Sequence, residues 1–484
     1  MTIRLYNTLT KRTEPFVPLD GKAVRIYSCG PTVYNFAHLG NLRAFLFTDI
    51  LQRVLRVVGG YNVRWVMNIT DVDDKTILGS ALCSQTWLPE MGGQTSDANA
   101  NLRLFTDYYS KAFFDDLAAI GIQKSDFVAI PRATDYIAEM QDLIRRIFDA
   151  GFAYISEGSI YFNLNEWRKH AKYGRLFTID AENFQQGVRI DADEYDRESV
   201  SDFVLWKARK DGEPYWDFDI NGVSLPGRPG WHIECSAMGQ SLLGLPFDIH
   251  TGGVDLRFPH HEDEIAQSMA GYGCETSNFW CHNEFLEVEG RKMSKRFGNF
   301  FTLRDLMNRG LEALDIRFAM MSAQYNSVLN FTFFGIESAA KARRRVQEFI
   351  YDLHEPPTAE SNTVVNTEEL QEQLYSALAD NLHTPKALER LFAFMNENRP
   401  INIAASSRNA LLGVFGKMND IFAVWEIKPR PSREIPEKVK ILAERRWQAK
   451  KERNFAEADA LRAEITLAGY AMKDGKDSYT LENI

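Results

Sequence analysis

No stretch of this 484-residue chain is apolar for long enough to span a bilayer, which excludes a helical membrane protein. The segment Met1 to Asn7 lacks the apolar core of a secretion signal, so the expected location is cytoplasmic. Cysteine is sparse. The five present (Cys29, Cys83, Cys235, Cys274 and Cys281) are an odd number in a long chain, which argues against a disulfide framework and leaves reduced thiols free for metal work. Positive charge is not in excess either. A net charge of −10 excludes coating a polyanion with the whole surface, so any nucleic-acid partner must be met by a local basic stripe. Internal repeats and low-complexity tracts are lacking as well.

What is present, 45% hydrophobic and 25% charged residues, is the composition of a globular protein large enough for several domains. Ala23 to Cys29 reads as a buried strand. From Asn41 to Val58, apolar residues at helical spacing (Phe45, Ile50, Leu51, Val54, Leu55, Val58) predict a helix that Gly59-Gly60 stops, and Val63 to Asn68 reads as a second strand. That order predicts a right-handed crossover in a parallel sheet, with ligands at the carboxyl ends of the strands, where Cys29 and His38 lie. A helical run (Tyr136 to Phe148) and short aromatic strands (Phe152 to Ile155, Ser159 to Phe162) predict an α+β insertion, and after Asn299 the chain turns mostly helical. Polar, proline-containing stretches at His354 to Asn366 and Lys428 to Ser432 read as linkers.

The most informative stretch is Phe258-Pro259-His260-His261-Glu262-Asp263-Glu264, because His260 and Glu264 are four residues apart and share one helical face. Such a pair alone is more often a surface hydrogen-bonded pair than a metal site. Here it follows a proline able to open a helix, while Cys29 and Cys235 lie in Gly/Pro-rich turns. Together the four make a ligand set of the kind zinc takes.

Three further segments carry chemistry. His38-Leu39-Gly40-Asn41 sits where a loop enters a helix, a spot suited to a phosphate, and Gly40 would let a nucleotide approach the backbone; a histidine that merely caps the helix fits the pattern equally. Arg291-Lys292-Met293-Ser294-Lys295-Arg296-Phe297-Gly298-Asn299 concentrates four cations around a glycine, as a loop closing on triphosphate or as a solvated charge run. Between Lys438 and Arg453, seven basic residues face two acidic ones, with Trp447 among them. Trp447 can stack on an unpaired base beside Arg445, Arg446 and Arg453, or fill the core of a helix face.

In their order along the chain, these segments resemble the cysteinyl-tRNA synthetase family of class I aminoacyl-tRNA synthetases, from about Leu5 to about Gly475. Cys29 to Tyr34 leading to His38-Leu39-Gly40-Asn41 is similar to the family's opening and its HIGH motif, followed by Asn68 to Lys75. Gly227 to Met238 and Phe258 to Ser268 resemble its zinc segments, and Lys292 to Arg296 its KMSKS loop. The resemblance implies a Rossmann-type parallel-sheet catalytic domain in two halves (1–119 and 226–290) around a connective insertion (120–225). A KMSKS and stem-contact region (291–352), a helical bundle (367–427) and a small C-terminal anticodon-binding domain (433–484) would follow.

It further implies one Zn2+ on Cys29, Cys235, His260 and Glu264, with Thr70 and Trp231 beside bound L-cysteine. ATP with Mg2+ would meet His38, Gly40, Asn41, Gly253, Asp255, Lys292 and Lys295. His38, Asn41, Lys292 and Lys295 would serve catalysis in a monomer that charges tRNA(Cys). Asn41 and Arg296 depart from HIGH and KMSKS, and Thr251 replaces a usual glycine, which implies crowding of the nucleotide. Residues 79–102 are longer than usual, and the tail lacks an expected tryptophan. Two rival expectations remain open: a ligase joining cysteine to an amino sugar, and a silent RNA-binding paralogue.

Overall fold

The computed structural model describes residues 1–177, 202–293, 298–357, 361–431, 435–475 and 478–483. Lys295 and Arg296 therefore lie outside the described residues. The chain divides into two compact units, Met1–Lys428 and Pro429–Ile484.

The first unit is built on four parallel strands: β1 (Ala23–Ser28), β2 (Asn62–Met67), β3 (Phe247–Gly253) and β4 (Ser277–Asn283), in the order β4-β3-β1-β2. Val24, Ile26, Trp65 and Ile249 are fully buried, as expected of parallel strands covered on both faces. Helix α1 (Leu39–Val57) joins β1 to β2 and buries Leu42, Phe45, Leu46, Ile50, Leu51, Val54 and Leu55. It starts two residues before the expected Asn41. The His38 imidazole accepts the Asn41 backbone N–H, while the Asn41 side chain accepts the His38 N–H, a reciprocal cap that extends the helix backwards. Helices α2 (Trp231–Leu243) and α3 (His260–Tyr272) follow in the second half.

Between the two halves, Ala153–Ser156, Ser159–Phe162, Phe203–Ala208 and Gly227–Pro229 form a separate antiparallel sheet over Ile160, Phe162, Leu205 and Trp206. The extended stretch after Gly79 is folded against the helix Ala98–Ala119. Gln94 ties Ser80, Ala81 and Cys83 together, and Trp87 lies parallel to Phe105. Beyond Asn299 the unit is mainly helical up to Phe422. No helix among the described residues is long and apolar enough to cross a membrane.

The second unit pairs α4 (Glu437–Lys451) with α5 (Phe455–Leu467) and a hairpin, Tyr470–Asp474 with Tyr479–Asn483, around Val439, Leu442, Leu461, Ile465 and Met472. Here one sequence expectation is corrected. Trp447 is only 9% exposed within that core, and Arg446 is 5% exposed, with its guanidinium gripping both Asp474 oxygens at 2.6 and 3.0 Å. The apolar face of α4 has to be buried somewhere, and Trp447 lies on it with Val439 and Leu442, so it is not presented to an RNA base. Arg445 and Arg453 lie on the exposed side.

Candidate active site and metal centre

Three of the chemical segments leave the carboxyl edge of the parallel sheet, Cys29 after β1, Asn68 to Thr70 after β2 and Asp255 after β3, while Cys235 is carried by α2 and His260 with Glu264 by α3. The two loops next to each other are stitched by backbone bonds, Val33 N–H to Thr70 O and Thr70 N–H to Pro31 O. Gly30 has to be glycine there, since a Cβ would sit 1.6 Å from the Asn68 carbonyl oxygen.

The structure brings Cys29, Cys235, His260 and Glu264 together, one ligand atom from each lying within 4.8 Å of all the others. Their separations give a direct fit test. Tetrahedral zinc, with bonds of about 2.3 Å to sulfur and about 2.0–2.2 Å to nitrogen and oxygen, sets donor–donor edges of about 3.8 Å for S to S, 3.6 Å for S to O and 3.4 Å for N to O. The corresponding distances are 3.7 Å between the two Sγ atoms, 3.7 Å from Cys29 Sγ to Glu264 Oε1, and 3.2 Å from His260 Nε2 to Glu264 Oε1. At 3.7 Å the sulfurs are also far too distant for a disulfide, which needs about 2.05 Å.

A second set, Cys29, His250, His261 and Glu264, overlaps the first. Hydrogen bonding separates them. Both His261 nitrogens are engaged, Nε2 with Cys29 Sγ at 3.3 Å and Nδ1 with His282 Nε2 at 2.8 Å, and His250 Nε2 is 2.8 Å from Glu264 Oε2. His260 Nε2 is fully enclosed without a hydrogen-bond partner; its 3.2 Å approach to Glu264 falls outside hydrogen-bond geometry. His260 Nε2 and His250 Nδ1, both buried, lack a hydrogen-bond partner; the first lies 3.2 Å from Glu264 Oε1 within the first set, whereas His250 meets that carboxylate through its other nitrogen and acts as its outer support.

Electrostatics agree with a cation site. Burial opposes charge at all four groups, yet Glu264 is held down at about 2 by His250 and His260, and His260 is pushed up to about 10 by Cys235 and Glu264. Of the coupled thiols, Cys29 is raised by burial and by Cys235, whereas Cys235 is lowered against its own burial by Cys29 and His260. Trp231 stacks on His260 at 4.1 Å.

Thr70 lies beside this cluster through Asn68, whose Oδ1 is 3.8 Å from Cys235 Sγ and whose Nδ2 donates to Thr70 Oγ1 at 3.1 Å. Thr70 Oγ1 donates in turn to Glu234 Oε2 at 2.8 Å. Burial pushes the Glu234 carboxyl well above the usual range, partly opposed by that bond. Sequence reasoning passed over Asn68, Glu234, His250, His261 and His282 as functional groups. Only the adjacency of His261 to His260 and of Glu234 to Cys235 hinted at them, because the elements that carry the others are distant in sequence.

Of the expected nucleotide residues, His38, Gly40 and Asn41 open α1, Gly253 ends β3 with Asp255 just beyond it, and Lys292 precedes Met293. His38 faces the Phe300 ring at 5.1 Å, and Leu39 N–H bonds Phe301 O, so the start of α1 abuts the segment following the basic loop. A Cβ at Gly40 would meet Met293 at 3.1 Å, and one at Gly253 would meet the Asp255 carboxylate at 2.2 Å, so both glycines answer to close approaches. Lys292 is exposed, its Nζ lying over the Phe285 ring at 5.5 Å from the centroid. Thr251 does not crowd this region: it is fully buried in β3, its hydroxyl 2.9 Å from that of Thr48 on α1.

The family model for the catalytic domain of tRNA synthetases class I (C) matches residues 15–341. A solved structure of Mycobacterium tuberculosis methionyl-tRNA synthetase in complex with methionyl-adenylate shares the fold at a TM-score of 0.56 and 12% identity, covering 83% of this chain and 92% of that one. Sheet, loops and match together define a class I aminoacyl-tRNA synthetase. Within that class, the cysteine–tRNA ligases of Brachyspira hyodysenteriae (40% identical, 98% of this chain and 97% of the relative) and Chlamydia abortus (41%, 98% and 96%) are similar end to end. The chain belongs to the cysteine–tRNA ligase family.

Proposed function

We propose that this protein ligates L-cysteine to tRNA(Cys) at the expense of ATP, with one Zn2+ held by Cys29, Cys235, His260 and Glu264. The observation that carries the reading is the convergence of those four donors at tetrahedral spacing beside Thr70 and Trp231. Zinc in such a set supplies a Lewis acid that favours a thiolate over a hydroxyl, a distinction that shape alone makes only about 10- to 200-fold between near-isosteres.

The chain's own residues do the rest. Thr70 and Trp231 flank the amino acid. His38, Gly40 and Asn41 at the α1 N-terminus, with Gly253 and Asp255, receive ATP and its Mg2+. The cysteine carboxylate attacks the α-phosphorus, pyrophosphate leaves, and the terminal ribose hydroxyl of tRNA then displaces AMP from the adenylate. Lys292 and Lys295 offset charge on the departing pyrophosphate, so positioning and electrostatics supply most of the rate. Arg445 and Arg453 offer the C-terminal unit's cations to RNA. A cytoplasmic monomer fits this role.

Cysteine-dependent ATP–pyrophosphate exchange with zinc analysis tests the reading. Exchange with about one zinc per chain, followed by charging of tRNA(Cys), is the expected result. Activity in fully metal-free enzyme, or an amino sugar accepted in place of tRNA, would overturn it.

A further inference from the structure

Arg304 is the second residue of the helix Leu303–Asn308, which follows the basic loop, and its guanidinium reaches out of that helix to two other segments. It lies over the Phe36 ring at 5.0 Å, and Phe36 precedes His38 by two residues. Its Nη2 donates to the Ala112 carbonyl at 3.0 Å, and its Nε stands 3.0 Å from Asp116 Oδ1 as an ion pair outside hydrogen-bond geometry; both partners belong to the helix Ala98–Ala119. Phe36 meets that helix too, edge to face against Tyr109 at 5.4 Å. Three segments thus share one guanidinium.

As a device for stability the pair is poor. Asp116 is 4% exposed, its Oδ2 has no hydrogen-bond partner, and burial pushes the carboxyl up to about 6 against the pull of Arg304. Taking the charges out of water offsets much of their attraction. What the contact does fix is the chain just before Arg304. Thr302 caps the helix in a reciprocal box with Asp305, Phe301 O accepts the Leu39 N–H at 3.0 Å, and Thr302 forms an antiparallel bridge with His38. The first turn of α1, with His38 as its cap, is therefore held on one side by a segment that Arg304 anchors.

We infer that Arg304 is a positioning residue for the ATP end of the site: through Phe36, Ala112 and Asp116 it holds Phe300 to Thr302 against the start of α1 and so sets where His38 stands. This rests on the reading of His38 as a residue that receives ATP, and goes beyond it. The planar fork is what the place requires, since a lysine ammonium can pair with Asp116 but cannot also lie flat on Phe36 and reach the carbonyl.

Two measurements on the full zinc-loaded chain test the inference, one of them independent of the reaction. In Arg304→Ala the Leu39 amide is expected to lose hydrogen-exchange protection about 10-fold relative to the rest of α1, the worth of one hydrogen bond. The kcat of cysteine-dependent ATP–pyrophosphate exchange should fall about 10- to 100-fold, the effect of misplacing an orienting group by about an ångström, with the KM for cysteine and the zinc content unchanged. Arg304→Lys should recover part of both losses, and Asp116→Asn, which keeps the shape and drops the charge, should reproduce both in smaller measure. These two variants carry the test if Arg304→Ala does not fold. Unaltered protection at Leu39 would overturn the inference, and so would lost protection with kcat intact. Loss of zinc and of cysteine binding together with kcat would make the residue purely structural and overturn it as well. Wild-type protein without exchange activity would instead count against the proposed reaction, leaving the Leu39 amide to decide the anchoring.

Discussion

The Nδ1 atoms of His232 and His260 lie 3.0 Å apart, both rings buried, so one proton sits between two nitrogens. Burial, reinforced by His260, drives the His232 pKa well down and keeps that ring neutral. Its Nε2 lies 3.5 Å from Asp263 Oδ2, and a neutral ring protonated at Nε2 accepts from His260 at Nδ1. His260 Nε2 is then the nitrogen that can lose its proton to a metal. Replacing His232 by Ala is expected to weaken zinc binding about 10- to 100-fold, as removal of an outer support does. Competition against a chelating indicator measures it, and unaltered affinity would show that His260 orients itself.

Zinc binding should release protons. Near neutral pH, Cys29 is raised and His260 sits at about 10, so both hold a proton, while Cys235 is lowered and Glu264, at about 2, is ionised. Metal ligation needs all four deprotonated, so about two protons leave per ion and affinity falls about 100-fold for each pH unit below neutrality. Titration calorimetry in buffers of different ionisation heat reads the proton count directly. A count near zero would mean that the donors are already stripped.

The C-terminal unit separates stability from RNA contact. Trp447→Ala is expected to cost about 3–5 kcal/mol of that unit's stability, because it empties a buried aromatic site. Arg445→Ala and Arg453→Ala should leave stability unchanged and each lower the salt dependence of tRNA binding by about one unit of slope. The exposed Arg445–Glu457 pair at 3.5 Å is worth too little to alter this. Hydrogen exchange on the full chain and filter binding at several salt concentrations distinguish the two classes.

Legibility in the sequence followed locality. Helical spacing announced His260 with Glu264, and strand–helix–strand patterning announced β1, α1 and β2, because each signal is contained in a short window. Cys29 and Cys235 are 206 residues apart and were grouped with that pair on residue type and turn context alone, whereas Thr70 and Trp231 came only from the family resemblance. The second layer was invisible: nothing near Glu234 or His250 in the chain says that Thr70 or Glu264 will stand against it. The basic count around Trp447 pointed to RNA but could not tell which side of α4 faced solvent, and Asp474, across a turn and a helix, decided that for Arg446.

That same Arg446–Asp474 pair gives the C-terminal unit a pH dependence of definite sign. The Arg446 guanidinium, with Lys450 at 2.6 Å, holds the Asp474 carboxyl well below the ordinary aspartate value of 3.8 despite some burial. A carboxyl depressed on folding contributes stability that is complete above its unfolded pKa and is lost as pH falls through the folded value. The unit is therefore expected to be insensitive to Asp474 from neutral pH down to about 5 and to weaken progressively below about 4. Asp474→Asn should remove that part of the acid response and, at neutral pH, cost about 1–3 kcal/mol by leaving the buried guanidinium without its charged partner. Hydrogen exchange of α4 amides against pH reads both effects. An Asn variant with the wild-type acid response would assign the dependence to another carboxylate.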